Sequence, residues 1–310
     1  MSSVPIVVFG NCNIDLTSYV KSMPSDGETV LGTDFTIGMG GKGSNQAVAA
    51  ARAGGTVAFV GAIGNDDFGD MAWSHLSSDG LALDCLTRHD LPTGVANITV
   101  DERGRNRIVV ALGASQRLTP TAVTDALDHF DGVEMVVSQL EVGLDVVEAG
   151  LVEAKKRGIT TVLNTAPFSP LSPAILDATD WLIANEVEAA ALVGADSAAL
   201  DSRSVRDSIA TWAESLGVSL IVTLGGEGAI GCVAGEVSHS AAPVVTAVDT
   251  VGAGDCFVGY FCSFLQEGMS WQQAMRGAVH AASLSVQKAG AQNSYPPAEM
   301  ASSIREVATA

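Results

Sequence analysis

Short, apolar, β-branched runs alternate with segments of helical period along nearly the whole chain, and this alternation limits the fold more than any other feature. The strand candidates are Ile6–Gly10, Val57–Gly61, Met135–Ser138, Thr160–Asn164, Trp181–Ala184 and Leu220–Leu224, with helix candidates at Ser44–Ala53, Leu144–Arg157, Val187–Val193 and Val205–Leu216. Strands buried on both faces read as continuous apolar runs, and the helices between them return the chain across the sheet. The pattern therefore predicts an α/β fold, a mostly parallel central sheet flanked by helices on both faces. Gly54-Gly55 and Gly158 stand where two of the helices should stop. Past the last strands the chain reads as helices at Ala253–Gln266, Trp271–Gln287 and Pro297–Val307.

Two stretches break the rhythm. Leu16–Ile37 and Gly94–Leu112 read as strands with polar turns and no helix, and the second flanks the hairpin turn Asp101-Glu102-Arg103-Gly104. Both leave the main sheet near the glycine-rich segment Gly38–Gly43, so a small β-sheet lid inserted into a single domain over residues 1–310 is expected. That length suits one large α/β domain. Apolar residues at 47% exclude a disordered chain, and no apolar run reaches the ~20 residues that span a bilayer. The formal charge of -19 repels nucleic acid and anionic membranes, so a phosphate-bearing ligand would need local positive potential. Cys12, Cys85, Cys232, Cys256 and Cys262 form no C-x-x-C pair, and the first residues show no secretory signal; reduced thiols and a cytoplasmic location are expected.

The strongest local signal is Asp249-Thr250-Val251-Gly252-Ala253-Gly254-Asp255, after the β-rich run Pro243–Val248 and at the start of an apolar helix. The backbone N–H groups of Gly252 to Asp255, helped by the helix dipole, would form an anion hole for a transferring phosphoryl group. Asp255 beside it would be the general base that takes the proton of an attacking hydroxyl. The bland alternative, a first-turn acid that merely complements the dipole, weighs equally on the heptapeptide alone.

A second signal, Gly38-Met39-Gly40-Gly41-Lys42-Gly43-Ser44-Asn45-Gln46, contains G-x-G-x-x-G and raises a dinucleotide-binding oxidoreductase with Asp66 as its ribose acid. The motif follows a lid strand rather than the first core strand, and its lysine does not have the Walker A spacing. Glycines with a lysine and an asparagine at a helix start suit a polyhydroxylated ligand instead. Asn13, Asp15, Glu141 and Asn185 follow strand ends, where open α/β sheets bind ligands, although Asn and Asp also favour such turns without one.

Together these residues resemble the ribokinase-like (PfkB-type) carbohydrate kinases over almost the whole chain. The two signature segments carry most of the resemblance; Pro24-x-x-Gly27-Glu28-Thr29, Gln139-Leu140-Glu141, Asn185-x-x-Glu188, Thr223-Leu224-Gly225-Gly226 and Gly290-Ala291-Gln292-Asn293-Ser294 add to it. It implies that Asn13, Asp15, Gly40, Gly41, Lys42, Asn45 and Glu141 hold a sugar, ribose above all, whose terminal hydroxyl Asp255 deprotonates. It implies ATP and Mg2+ at Asn185, Glu188, Gly254 and the Thr223, Leu224, Gly225, Gly226, Glu227, Gly228 loop, with His280 a weaker contact to adenine. It also implies an activating K+ near Asp249, Val251, Ser285, Lys288, Gly290 and Ser294, and a homodimer through the lid. Thr165 and Ser115 depart from the family pattern in segments that bear on the choice of sugar. A fructokinase-like enzyme and a non-catalytic sugar sensor are the alternatives.

Overall fold

The computed structural model describes residues 3–195 and 202–310. Its strands are β1 (Ile6–Phe9), β2 (Asn13–Val20), β3 (Gly32–Gly40), β4 (Val57–Gly64), β5 (Leu86–His89), β6 (Gly94–Asp101), β7 (Asn106–Ala111), β8 (Met135–Ser138), β9 (Thr160–Asn164), β10 (Trp181–Asn185), β11 (Ser219–Thr223), β12 (Ala229–Val233) and β13 (Glu236–Ser240). The helices are α1 (Lys42–Arg52), α2 (Asp67–Ser78), α3 (Pro120–His129), α4 (Leu144–Lys156), α5 (Pro173–Asp177), α6 (Glu186–Val193), α7 (Ser202–Leu216), α8 (Ala253–Gln266), α9 (Trp271–Ser285) and α10 (Ala301–Thr309).

Nine strands form the central sheet in the order β13-β12-β11-β10-β9-β8-β1-β4-β5, parallel from β11 to β5 and antiparallel at β12 and β13. The α/β expectation holds, and the alternation of side chains along β1 shows why both faces are covered. Ile6 and Val8 join the core that contains α1, α8 and α9, whereas Val7 and Phe9 join the core beneath α3 and α4. A third core, under α6 and α7, packs on β10 to β12.

The two rhythm-breaking stretches form a separate four-stranded sheet, β3-β2-β6-β7, antiparallel except for the central β2–β6 pair. Only three residues separate the end of β1 from the start of its β2, so it stands directly off the carboxyl edge of the main sheet. The run Pro243–Val248 is not a strand. Val244 and Val248 are exposed and the sheet already ends at β13, so this β-prone run has no neighbour to pair with.

Helices α1 and α8 pack closely because Gly259 has no side chain. A Cβ there would lie 2.5 Å from Ala49 Cβ and 2.6 Å from Ala50 N. That approach brings the first turns of the two helices, and hence both signature segments, to one place.

Candidate active site

Asp255 lies in the first turn of α8, buried, and both its carboxylate oxygens accept hydrogen bonds from α1. Asn45 Nδ2 donates to Oδ2 at 2.9 Å and Gln46 Nε2 donates to Oδ1 at 2.9 Å. Gln46 also donates to Asn164 Oδ1 at 3.0 Å and accepts from Gln139 Nε2 at 2.7 Å. Asn45 Oδ1 accepts from Gln292 Nε2 at 2.9 Å.

The turn before α8 requires glycine. Gly252 has φ 74°, and a Cβ on it would stand 2.7 Å from the hydroxyl of Tyr295, which donates to the Gly252 carbonyl at 3.0 Å. Ala253 N–H donates to Thr250 O and Cys256 N–H to Gly252 O. The amides of Gly254 and Asp255 lie between these, where a helix start leaves N–H groups without intrahelical partners. Around a Cβ built on Gly254 there is no protein atom within 4 Å beyond the adjoining residues and the backbone of its own helix.

Two cavities meet at Gly254. One of about 210 Å³ is polar, lined by Lys42, Asn164, Asn185, Glu188 and Asp255. The other, about 430 Å³, is mostly apolar, lined by Gly225, Gly226, Gly228, Phe257, Val279 and the 242–247 segment, with Thr223, Thr250 and Gly254 common to both. Glu188 and Asp255 are the carboxyls on the wall of the polar chamber, and Asp15 and Glu141 lie beside it, close enough for their charges to act on one another and on Asp255. Burial pushes the Asp15 carboxyl up to about 6, with the charges of Glu141 and Asp255 adding to the rise. Burial also raises Glu141, against the opposing charge of Lys42, and raises Glu188. Asp255 is the main reason the Lys42 ammonium is held above its usual range. Such groups are poised to exchange hydrogen bonds with hydroxyls, and Lys42 is the side-chain cation that stands among them.

Most of the residues singled out in the sequence converge here. Asn13 and Asp15 open β2, Gly40 ends β3, and a Cβ on Gly40 would overlap the Asp15 carboxylate. Gly41 caps α1, and Glu141, just past β8, accepts from Lys42 N–H at 2.9 Å. The buried Asn13 Oδ1 has no hydrogen-bond partner within the described protein. Asn185 and Glu188 are both wall and scaffold: they form the capping box of α6, with bonds of 2.8 Å and 3.0 Å.

Some expected residues stand elsewhere. Leu224 turns into the core, Glu227 is exposed and only its carbonyl meets the His239 ring, and neither lines either of these two cavities. His280 does not line the apolar cavity either. Val279, Ala282, Ser283 and Val286 do, and this helical spacing turns His280 away from that face. Asp66, the acid required by the dinucleotide alternative, instead caps α2 through Gly69 N–H and holds Thr93. Reading the sequence assigned no role to Asn11, Gln46, Gln139, Asn164 or Gln292. Gln46, Gln139 and Gln292 stand within segments of the family resemblance that name no role for them, and Asn11 and Asn164 show only an uncharged amide at the end of an apolar run.

Asp249 ties two loops together, accepting from Val251 N–H at 3.0 Å and Gly290 N–H at 2.9 Å. Ser285 and Ser294 are buried and donate to the carbonyls of Ala282 and Ala291, whereas Lys288 is exposed and donates its backbone N–H to Ser285 O. Among the described residues no cluster of three or more His, Cys, Asp or Glu side chains forms a metal cage. Mg2+ is commonly held by one or two carboxylates plus substrate phosphates, and Glu188 on the cavity wall fits that mode.

Known proteins carry the same architecture. The ribokinase of Schizosaccharomyces pombe is 37% identical over 303 residues, 94% of this chain and 95% of that one. The deoxyribokinase of Salmonella typhimurium is 34% identical over 95% of this chain and 96% of its own. The structure of Arabidopsis thaliana ribokinase complexed with ribose and ATP superposes with a TM-score of 0.87 at 28% identity, covering 98% of this chain and 99% of that chain. Residues 5–298 match the family model described as pfkB family carbohydrate kinase, and with both signature segments meeting at Asp255 the chain belongs to that family.

Proposed function

We propose that this protein is an ATP-dependent sugar kinase that phosphorylates the primary hydroxyl of a pentose, ribose before others. The observation that carries this reading is Asp255, gripped by Asn45 and Gln46 at a helix start where a polar chamber joins an apolar one at Gly254. The polar chamber suits a small polyol. Lys42 and Asp255 stand on its wall, and beside them Asn13, Asp15, Asn45 and Glu141 offer a sugar further donors and acceptors without an aromatic platform. The apolar chamber suits a nucleobase, with the nucleotide phosphates directed past Gly254.

With both substrates in place, Asp255 accepts the proton of the primary hydroxyl as its oxygen attacks the terminal phosphorus, in line with the departing ADP. The free amides of Gly254 and Asp255 and the ammonium of Lys42 stabilise charge on the transferring group. Bound Mg2+, held near Glu188 and Asn185 through the phosphates, would supply further charge neutralisation. The small sheet acts as a lid on the sugar, and its exposed Phe35, Ile37, Ile108, Val109 and Val110 favour a homodimer through it. Four buried free cysteines, one half-buried, and described helices too short or too polar to cross a membrane support a cytoplasmic location.

The deoxyribokinase relative favours a second reading, 2-deoxyribose as the acceptor. A coupled ADP-release assay over ribose, 2-deoxyribose, fructose and adenosine separates them. The highest kcat/KM should be for ribose. A higher value for another acceptor would replace the sugar and keep the reaction, whereas no turnover with any would remove the kinase reading.

A further inference from the structure

Asp255 is held from two sides, and the two sides are not equally secure. On one, Gln46 has its carbonyl oxygen fixed by Gln139 and its amide shared between Asp255 and Asn164, whose own Nδ2 is tied to the Ile183 carbonyl at 3.0 Å. Loss of any one contact leaves the other groups to keep Gln46 in place. On the other, Asn45 donates Nδ2 to Asp255, and its Oδ1 is fixed by Gln292 Nε2. An asparagine amide is nearly symmetric in shape, and rotated by half a turn it would point its oxygen at the carboxylate.

Gln292 is fully buried and cannot easily present its own oxygen instead. Its second N–H goes to Ser44 Oγ at 3.1 Å, and that hydroxyl is itself a donor to Gly40 O at 2.7 Å. Arg52 donates to the backbone carbonyl of Gln292 at 2.6 Å, fixing the main chain from which this side chain reaches, and is in turn gripped by both oxygens of Asp79, at 2.7 Å and 3.0 Å. A side-chain donor chain therefore runs Gln292, Asn45, Asp255, across three separate parts of the sequence, with Arg52 anchoring the backbone at its start.

We infer that Gln292 is a positioning residue for phosphoryl transfer, fixing which way the Asn45 amide faces and thereby the direction of the Asp255 carboxylate toward the acceptor hydroxyl. This rests on Asp255 being the base. Gln292→Met keeps the volume and removes both donors. Because a displacement of about 1 Å at a reacting group can cost 10²-fold, kcat should fall by ~10–10²-fold while the KM for ATP stays within about twofold. Gln139→Met, on the better-braced side, should lower kcat less.

Gln292→Glu supplies a signature that a purely structural role does not. The introduced carboxyl donates to Asn45 Oδ1 only when protonated, and burial favours that form, so kcat relative to wild type should recover as pH falls. In an Asp255→Asn background, Gln292→Met should leave kcat unchanged to within about twofold, since it acts through the same group. A kcat within about threefold of wild type in folded Gln292→Met, or an undiminished effect in the Asp255→Asn background, overturns the inference. If Asp255→Asn alone retained kcat, the base assignment would fail instead. Should Gln292→Met not fold, a Gln292→Glu enzyme whose activity relative to wild type is flat with pH overturns the inference by itself.

Discussion

Alanine at Gly254 and alanine at Gly252 should separate catalysis from stability at neighbouring positions of one turn. Beyond the adjoining residues and the backbone of its own helix, a methyl group on Gly254 meets no protein atom within 4 Å, and glycine to alanine in a helix gains up to about 1 kcal/mol. Unfolding entropy near 2.1 cal/mol/K per residue gives this 310-residue chain about 650 cal/mol/K, so the gain raises Tm by roughly 1–2 °C at most. The same methyl would stand where the two cavities join and displace the phosphoryl group from its amides. Misplacement of that order predicts a fall in kcat of ~10²-fold. At Gly252 the left-handed backbone costs alanine about 1–2 kcal/mol. Overlap with Tyr295 and Ala291 adds about 1–3 kcal/mol. The sum, about 2–5 kcal/mol, lowers Tm by roughly 3–8 °C. Thermal unfolding and ADP release on the same preparations test both. A Gly254→Ala enzyme with kcat and ATP KM within about threefold of wild type would refute the anion-hole reasoning, and an unchanged Tm for Gly252→Ala would refute the packing of that turn.

Three further outcomes are expected. Because the Asp15 carboxyl titrates at about 6 and sugar hydroxyls need its ionised form as acceptor, sugar affinity should fall as pH drops through that value, roughly tenfold from pH 7 to pH 5, with proton release on binding near pH 6; calorimetry in two buffers would detect neither if Asp15 does not meet the sugar. Potassium should raise kcat over sodium or tetramethylammonium at fixed magnesium and ionic strength, and Asp249→Ala should abolish the stimulation; equal wild-type rates in the three salts would reject the cation site. Replacing exposed Val109 and Ile108 with lysine should shift a dimer toward monomer by sedimentation at micromolar concentration, and a wild-type monomer would reject the interface.

The sheet was legible because its strands are buried on both sides. Met135–Ser138 and Thr160–Asn164 are apolar runs with sharp polar or glycine borders, and they match β8 and β9 to the residue. Helix α8, Ala253–Gln266, matched equally well because its glycine turn and apolar face mark both start and course. Helix α2 leaves a weak trace in the sequence because it is half exposed, and its N-cap Asp66 stands where the dinucleotide alternative needs a ribose acid. Pro243–Val248 misled because β propensity reports fit to a neighbouring strand, and here that place is empty. Within the site, the motifs announced Lys42, Asn45 and Asp255, which their local sequence places at helix starts. Gln139, Asn164 and Gln292 are invisible in role, since each acts on a residue about 90 or more positions away, and only the placement of α1 against the ends of β8 and β9 and the 290–294 loop brings them together.

The single-turnover rate of Asp255→Asn with bound ribose and ATP shows whether Asp255 is the base that activates the sugar hydroxyl. The substitution keeps the shape but sets one N–H against the amides of Asn45 or Gln46, so ribose affinity and Tm must be measured alongside. A transfer rate lower by ~10²–10⁴-fold is expected in a folded enzyme that still binds ribose. A variant that retains more than about a tenth of the wild-type rate would contradict it.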